Sequence, residues 1–135
     1  MELRKATQKD LMKVNHAIGY KTNLPYITVE DETSDYINDR LYVVADGDKV
    51  YATLSLVVEP DYGYTAIKRL CILNKKNCGK GIARFALQAI QRKVNGRIGA
   101  TPWEDNLAMR NLLESEGFRM EYKFNEVWCF YVKCL

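Results

Sequence analysis

The chain has 135 residues, with 20 lysines and arginines against 17 acids, 47% apolar residues, four cysteines and one histidine. That length suits one compact unit with a real core, expected to be a single domain over 1–135, and the composition excludes a disordered tail or a fibrous repeat. No apolar run approaches the roughly 18 residues of a membrane span, and Met1-Glu2-Leu3-Arg4-Lys5 leads into no signal-peptide core, so the expected address is the cytoplasm.

In chain order, a short strand is expected at Leu3 to Ala6. Thr7 and Asp10 form a capping box before Leu11, Val14, Ala17 and Ile18, which recur at helical spacing. The stretch from Tyr20 to Arg40 is irregular and acidic, with one or two helical turns around Glu30 to Ile37. Leu41 to Ala45 and Val50 to Val58 read as strands joined by the hairpin signal Asp46-Gly47-Asp48. Pro60-Asp61-Tyr62-Gly63 then turns the chain into a strand from Tyr64 to Leu73. From Gly81 the period lengthens to helical, with Ile82, Phe85, Ala86, Ala89, Ile90 and Val94 on one face and a stop near Asn95-Gly96. A strand at Ile98 to Thr101, a helix from about Asp105 to Glu116 stopped by Gly117, and a hairpin of Phe118 to Phe124 with Val127 to Val132 complete the order. The expected fold class is mixed α/β, with a mostly antiparallel sheet of six to seven strands flanked by about four helices.

Cys71, Cys78, Cys129 and Cys134 form no Cys-x-x-Cys pair and His16 stands apart from them, so no metal site is expected. The net charge of +3 is unevenly spread. Residues 62–103 hold nine bases and no acid, while the flanks are acidic. Such a block attracts phosphate. Within it, the strand ending at Leu73 runs through Asn74-Lys75-Lys76-Asn77 into Cys78-Gly79-Lys80-Gly81-Ile82-Ala83-Arg84 and a helix. Two glycines at a helix start let backbone approach a ligand. The free first-turn N–H groups and the helix dipole then make an anion site, to which Lys80 and Arg84 add charge. The spacing is neither that of a P-loop nor that of a dinucleotide fingerprint.

This segment resembles the cofactor signature of the GNAT superfamily of acyl-coenzyme A-dependent N-acetyltransferases, Gln/Arg-x-x-Gly-x-Gly/Ala after the fourth strand. The resemblance extends to the element order, the Leu3-Arg4-Lys5-Ala6-Thr7 opening, Asp105-Asn106 and Glu116-Gly117-Phe118. It implies acetyl-CoA as cofactor and transfer of the acetyl group, by direct attack, to a primary amine of a small molecule or peptide. The cofactor-binding set it implies is Leu73, Cys78, Gly79, Lys80, Gly81, Ile82, Ala83, Arg84 and Asn106, with the Leu73 N–H polarising the thioester carbonyl. Asn106 also reads as a plain N-cap. By the same resemblance, Tyr20, Tyr26 and Glu30 border the acceptor site, and the subunit state is monomer or homodimer.

Three positions depart from the family pattern. Cys78 replaces the usual Arg or Gln, Arg69 stands where many relatives carry a glutamate base, and Leu113 where many carry a tyrosine acid. Tyr131, Tyr64 and Glu59 are the substitute groups available. Without a dedicated base, an α-amine with pKa about 7.7–8.0 costs about 1 kcal/mol to deprotonate at pH 7, whereas a lysine near about 10.4 costs close to ~5, which favours a low-pKa acceptor. Two other readings stay open: a coenzyme A-binding protein of this fold with little or no transferase activity, and a nucleic-acid-binding module using the basic block. The strands lack exposed aromatics interleaved with bases, so nucleic acid is not the expected partner, and neither is a membrane.

Overall fold

The structure, a computed structural model, describes residues 1–20 and 27–135, the side chain of Tyr20 excepted. Strand β1 (Glu2–Lys5) and helix α1 (Gln8–Tyr20) are followed by α2 (Val29–Ile37) and a meander of β2 (Leu41–Asp46), β3 (Lys49–Glu59) and β4 (Tyr64–Ile72). Helix α3 (Ile82–Lys93), β5 (Arg97–Ala100), α4 (Leu107–Ser115), β6 (Arg119–Phe124) and β7 (Trp128–Cys134) complete the chain. The seven strands form one sheet in the order β1-β2-β3-β4-β5-β7-β6, in which β4 and β5 are the parallel neighbours. The expected class and strand count hold. No helix among the described residues is long and apolar enough to cross a membrane.

Local chemistry accounts for the boundaries. The capping box at α1 is reciprocal: the Asp10 amide donates to Thr7 Oγ1 at 3.1 Å and the Thr7 amide to Asp10 Oδ2 at 3.0 Å. Arg4 donates to the same buried carboxylate at 3.0 Å and to the Gly47 carbonyl at 2.7 Å, tying β1, α1 and the β2–β3 turn together. The acidic stretch expected to hold only a turn or two of helix is the nine-residue α2, capped by Thr28 Oγ1, which accepts from the Asp31 amide. Its buried residues are Glu32 and Asp35. Helix α4 starts two residues later than expected because Asn106 is its cap, the side chain accepting from the Met109 amide at 3.2 Å.

The main core lies on one face of the sheet, where Ile82, Leu87 and Ile90 of α3 and Leu113 of α4 meet Leu54, Ile67, Ile98 and Tyr131. On the other face, Val14 of α1 packs with Val43, Ala45 and Leu73, and α2 sits against β2 and is hydrogen-bonded to Thr53 and Ser55 of β3 through Glu32 and Asp35. Residues of β5 and β7 alternate between the faces, so Phe130 lies opposite Tyr131, on the face that carries α1 and α2. There Gly99 leaves room for the ring of Tyr64: a Cβ at Gly99 would stand 3.0 Å from that ring and 3.1 Å from the Tyr131 carbonyl oxygen. Gly99→Ala is therefore expected to cost about 1–3 kcal/mol, read as a lowered urea midpoint with an unchanged slope.

Candidate functional site

Two irregularities in β4 create the site. First, its parallel pairing with β5 covers only Thr65–Ile98, Ala66–Gly99 and Ile67–Ala100. Strand β5 ends at Ala100, and Pro102, two residues later, has no amide to continue a ladder. Among the described residues no strand consequently pairs with residues 68–72 of β4 on that side. Second, Thr53 pairs with Cys71 but Ser55 with Lys68, so Arg69 and Leu70 together face Leu54 in a β-bulge. Arg69 takes a left-handed φ of 53°, which a non-glycine residue holds only when its surroundings enforce it.

The bulge also decides which amides are available. The Leu73 amide donates to the Tyr51 carbonyl at 2.9 Å, so Leu73 does not supply the free N–H expected of it. That bond makes Leu73–Tyr51 a hydrogen-bonded pair and the Ile72–Ala52 pair a non-hydrogen-bonded one. By the same alternation the amides of Leu70 and Ile72 point away from β3, toward the gap left by β5. Sequence spacing could not find this shift, since it depends on where the bulge falls.

A cleft of about 850 Å³ occupies the gap. Leu87, Met109, Leu113 and Asn106 line it from the side of α3 and α4; Tyr64, Trp103, Phe124 and Trp128 line it elsewhere, with Lys68, Arg69 and Leu70 at the bulge. A second groove lies between the start of α3 and the face of α4, lined by Ile72, Cys78, Gly79, Gly81, Ile82, Ala83 and Arg84 with Asn111 and Ser115. Gly79 and Gly81 both have left-handed φ, 77° and 80°, and Gly81 is the N-cap of α3 without a capping side chain. Phe85 is the first residue of this helix whose amide bonds backward, to Gly81. Among the described residues the amides from Gly79 to Arg84 donate to no protein acceptor. These unengaged amides are the ones at which the sequence reading expected an anion, and Cys78 is exposed beside them. The Arg84 guanidinium, by contrast, is turned to Glu116 Oε2 at 2.6 Å, and the exposed Lys80 does not line the groove.

The remaining expected residues divide. Tyr131 is fully buried, its hydroxyl accepting from Arg110 Nε at 3.1 Å and donating to Glu114 Oε1 at 2.8 Å, and it lines neither the cleft nor the groove. Burial holds its phenol above the usual value, and the structure places it as a packing residue of the core rather than in the cleft. Glu30 is exposed on the first turn of α2 and does not line the cleft. Tyr26 lies outside the described residues, as does the Tyr20 side chain.

Sequence reasoning missed the polar cluster under α2. Arg69 pairs with Asp35 and lies 3.9 Å from Glu32 Oε1. Ser55 Oγ donates to Asp35 Oδ2 at 2.6 Å, and Thr53 Oγ1 to Glu32 Oε2 at 3.0 Å. Among the described residues Glu32 Oε1 and Arg69 Nε have no hydrogen-bond partner. Burial pushes the Glu32 carboxyl up to about 7, against the opposing pull of the Thr53 hydrogen bond and Arg69. The neighbouring Cys71 thiol, also raised by burial, to about 11, stays protonated and is no nucleophile. The available signal was the i, i+3 spacing of Glu32 and Asp35 facing the alternating hydroxyls of Thr53 and Ser55.

No protein-family profile matches this sequence, and no curated protein sequence matches it. Among solved structures, a GNAT-family acetyltransferase from Streptococcus agalactiae is similar at TM-score 0.82 and 16% identity, over 99% of this chain and 95% of that one. An acetyltransferase from Thermus thermophilus follows at 0.77 and 21%, over 99% and 96%. The aminoglycoside acetyltransferase AAC(6')-Ib, in complex with coenzyme A, gives 0.76 and 16%, over 98% and 93%. The chain thus has the GNAT acetyltransferase fold.

Glu32 holds its proton more tightly folded than unfolded, where its pKa is 4.5. Its contribution to stability is fully present below that value and is lost as pH rises through about 7, an effect on the order of 3 kcal/mol. Urea denaturation of the wild type and of Glu32→Gln at pH 5 and pH 8 is expected to show a loss in the wild type that the variant lacks. Parallel losses would remove Glu32 as its source.

Proposed function

We propose that this chain is an N-acetyltransferase that uses acetyl-CoA to acetylate a primary amine of a small molecule or peptide. The observation that carries the reading is the run of unengaged amides from Gly79 to Arg84, placed beside a strand whose pairing stops short. Helix N-termini of this kind hold phosphate oxygens through backbone donors and the helix dipole, so the loss of the usual side chain at Cys78 leaves the main contacts in place. When bound, acetyl-CoA supplies an activated acetyl thioester. The residues fit it: the groove takes the diphosphate, Ile72 and Leu70 present amides along the gap, and Asn106 stands at the far wall.

The chain's own contribution is positioning and polarisation. The Leu70 amide, fixed by the bulge, is a donor for a carbonyl oxygen held in the gap. Burial of Leu113 and Leu87 beside it keeps that stretch dry, which strengthens such a donor. Among the described residues Asp105 is the one acid lining the cleft, and no histidine lines it. An amine that arrives with a low pKa is thus still favoured. A second reading, coenzyme A binding without transfer, is motivated by Arg69 and Leu113 at the positions where a base and an acid were expected.

Acetyl-CoA at about 100 times its Kd is expected to raise Tm on the order of 10 °C, and ADP or S-acetylpantetheine alone by less. Ala83→Glu, which suits a first helical turn, is expected to fold normally and lose that shift because its carboxylate repels the diphosphate. An unchanged shift would remove the α3 cradle from the reading. Thiol release in the presence of an amine panel then separates transfer from mere binding.

A further inference from the structure

The half of the sheet formed by β5, β7 and β6 has a face that is aromatic and largely uncovered. Tyr122 stacks on Phe130 at 5.1 Å and 23°, Phe124 stacks on Trp128 at 6.4 Å and 18°, and Trp103 meets Trp128 edge-on at 5.3 Å. Tyr64 closes the row edge-on to Phe130 at 5.3 Å. Tyr122 is 54% exposed, Phe124 40% and Trp103 37%. A contiguous exposed apolar surface of this kind marks a binding site.

Two observations decide what it binds. The wall is continuous with the reaction cleft, since Tyr64, Trp103, Phe124 and Trp128 line both, so its occupant is the molecule that receives the acyl group. Of the charged residues that line the cleft, Lys68 pairs with Glu59 and Arg69 with Asp35, whereas Asp105 has no ion-pair partner among the described residues. An aromatic wall with one unmatched carboxylate complements an ammonium borne on a flat apolar body.

We propose that the acceptor is a primary amine carried next to an aromatic ring, the ring lying on Trp103, Phe124 and Trp128 and the amine reaching the β4 bulge past Asp105. This rests on the transferase reading for the position of the acyl group. The low-pKa preference narrows it to an α-amine, as at an aminoacyl amide or a peptide N-terminus that begins with an aromatic residue.

The chain has two tryptophans and both stand in this wall, so intrinsic emission reports occupancy directly. Phenylalaninamide and alaninamide present α-amines of the same class and differ in the ring. With coenzyme A present, phenylalaninamide is expected to shift or quench the emission at concentrations about tenfold lower than alaninamide. With acetyl-CoA, its kcat/KM by thiol release is expected to exceed that of alaninamide by about tenfold or more. Phe124→Ala, an exposed position, is expected to shrink that ratio to within about threefold while the KM for acetyl-CoA stays unchanged. Equal emission responses for the two amides overturn the proposal whether or not turnover occurs. Selective emission with no thiol release from any amine would overturn the transferase reading instead and leave the aromatic site standing.

Discussion

The early end of the β4–β5 ladder is the constraint on which the rest of the structure depends. Parallel pairing holds for three residue pairs and then ceases, because β5 stops at Ala100 while β4 continues to Ile72. A buried strand edge is costly unless something bonds its amides. Here the edge faces a cleft, so the unpaired groups become an asset for a ligand with its own polar backbone. The loop after β4 bonds its Leu73, Lys76, Asn77 and Cys78 amides within the chain, and free donors resume from Gly79 through the first turn of α3.

Arg69 couples that edge to the opposite helix layer. Its left-handed backbone costs about 1 kcal/mol or more relative to an ordinary strand residue. The pairing of its guanidinium with Asp35, and the proximity of Glu32, are available to offset that cost, and they also seat α2 on the sheet. Burying two carboxylates beside a single cation is marginal in itself. Protonation of one of them relieves the imbalance, which agrees with the direction in which burial moves Glu32. The position that looked like the loss of a base is therefore the organising cation of a three-charge cluster that also holds the bulge.

Much of the fold was legible because it is written in local signals. The capping box at Thr7, the Asp46-Gly47-Asp48 turn, the helical period after Gly81 and the stop at Gly117 each specify a boundary through short-range chemistry. The glycine-rich turn revealed the anion cradle for the same reason. What stayed hidden depends on register. The Leu73 amide was expected to be free, but a one-residue bulge reverses which amides face the gap. Arg84 looked like a phosphate ligand by its place in the chain, yet Glu116, 32 residues on, takes its guanidinium. Tyr131 looked like a reachable phenol until strand pairing put it inside the core, and Glu30 drew notice in an acidic run whose buried members are Glu32 and Asp35. Helical phase could have separated those last two from their neighbours; the bulge and the strand register have no comparable mark.

Strand β6 is the outer edge of the sheet, and all six of its residues are exposed. A rim that rich in Tyr122 and Phe124 would ordinarily recruit a strand from another molecule and grow. Arg119, Glu121 and Lys123 interrupt it, and the shift in register between Met120 and Tyr122 bends it out of the flat geometry that stacking requires. The charges and the kink thus work against edge-to-edge pairing along β6, while the rings of Tyr122 and Phe124 lie inward on Phe130 and Trp128.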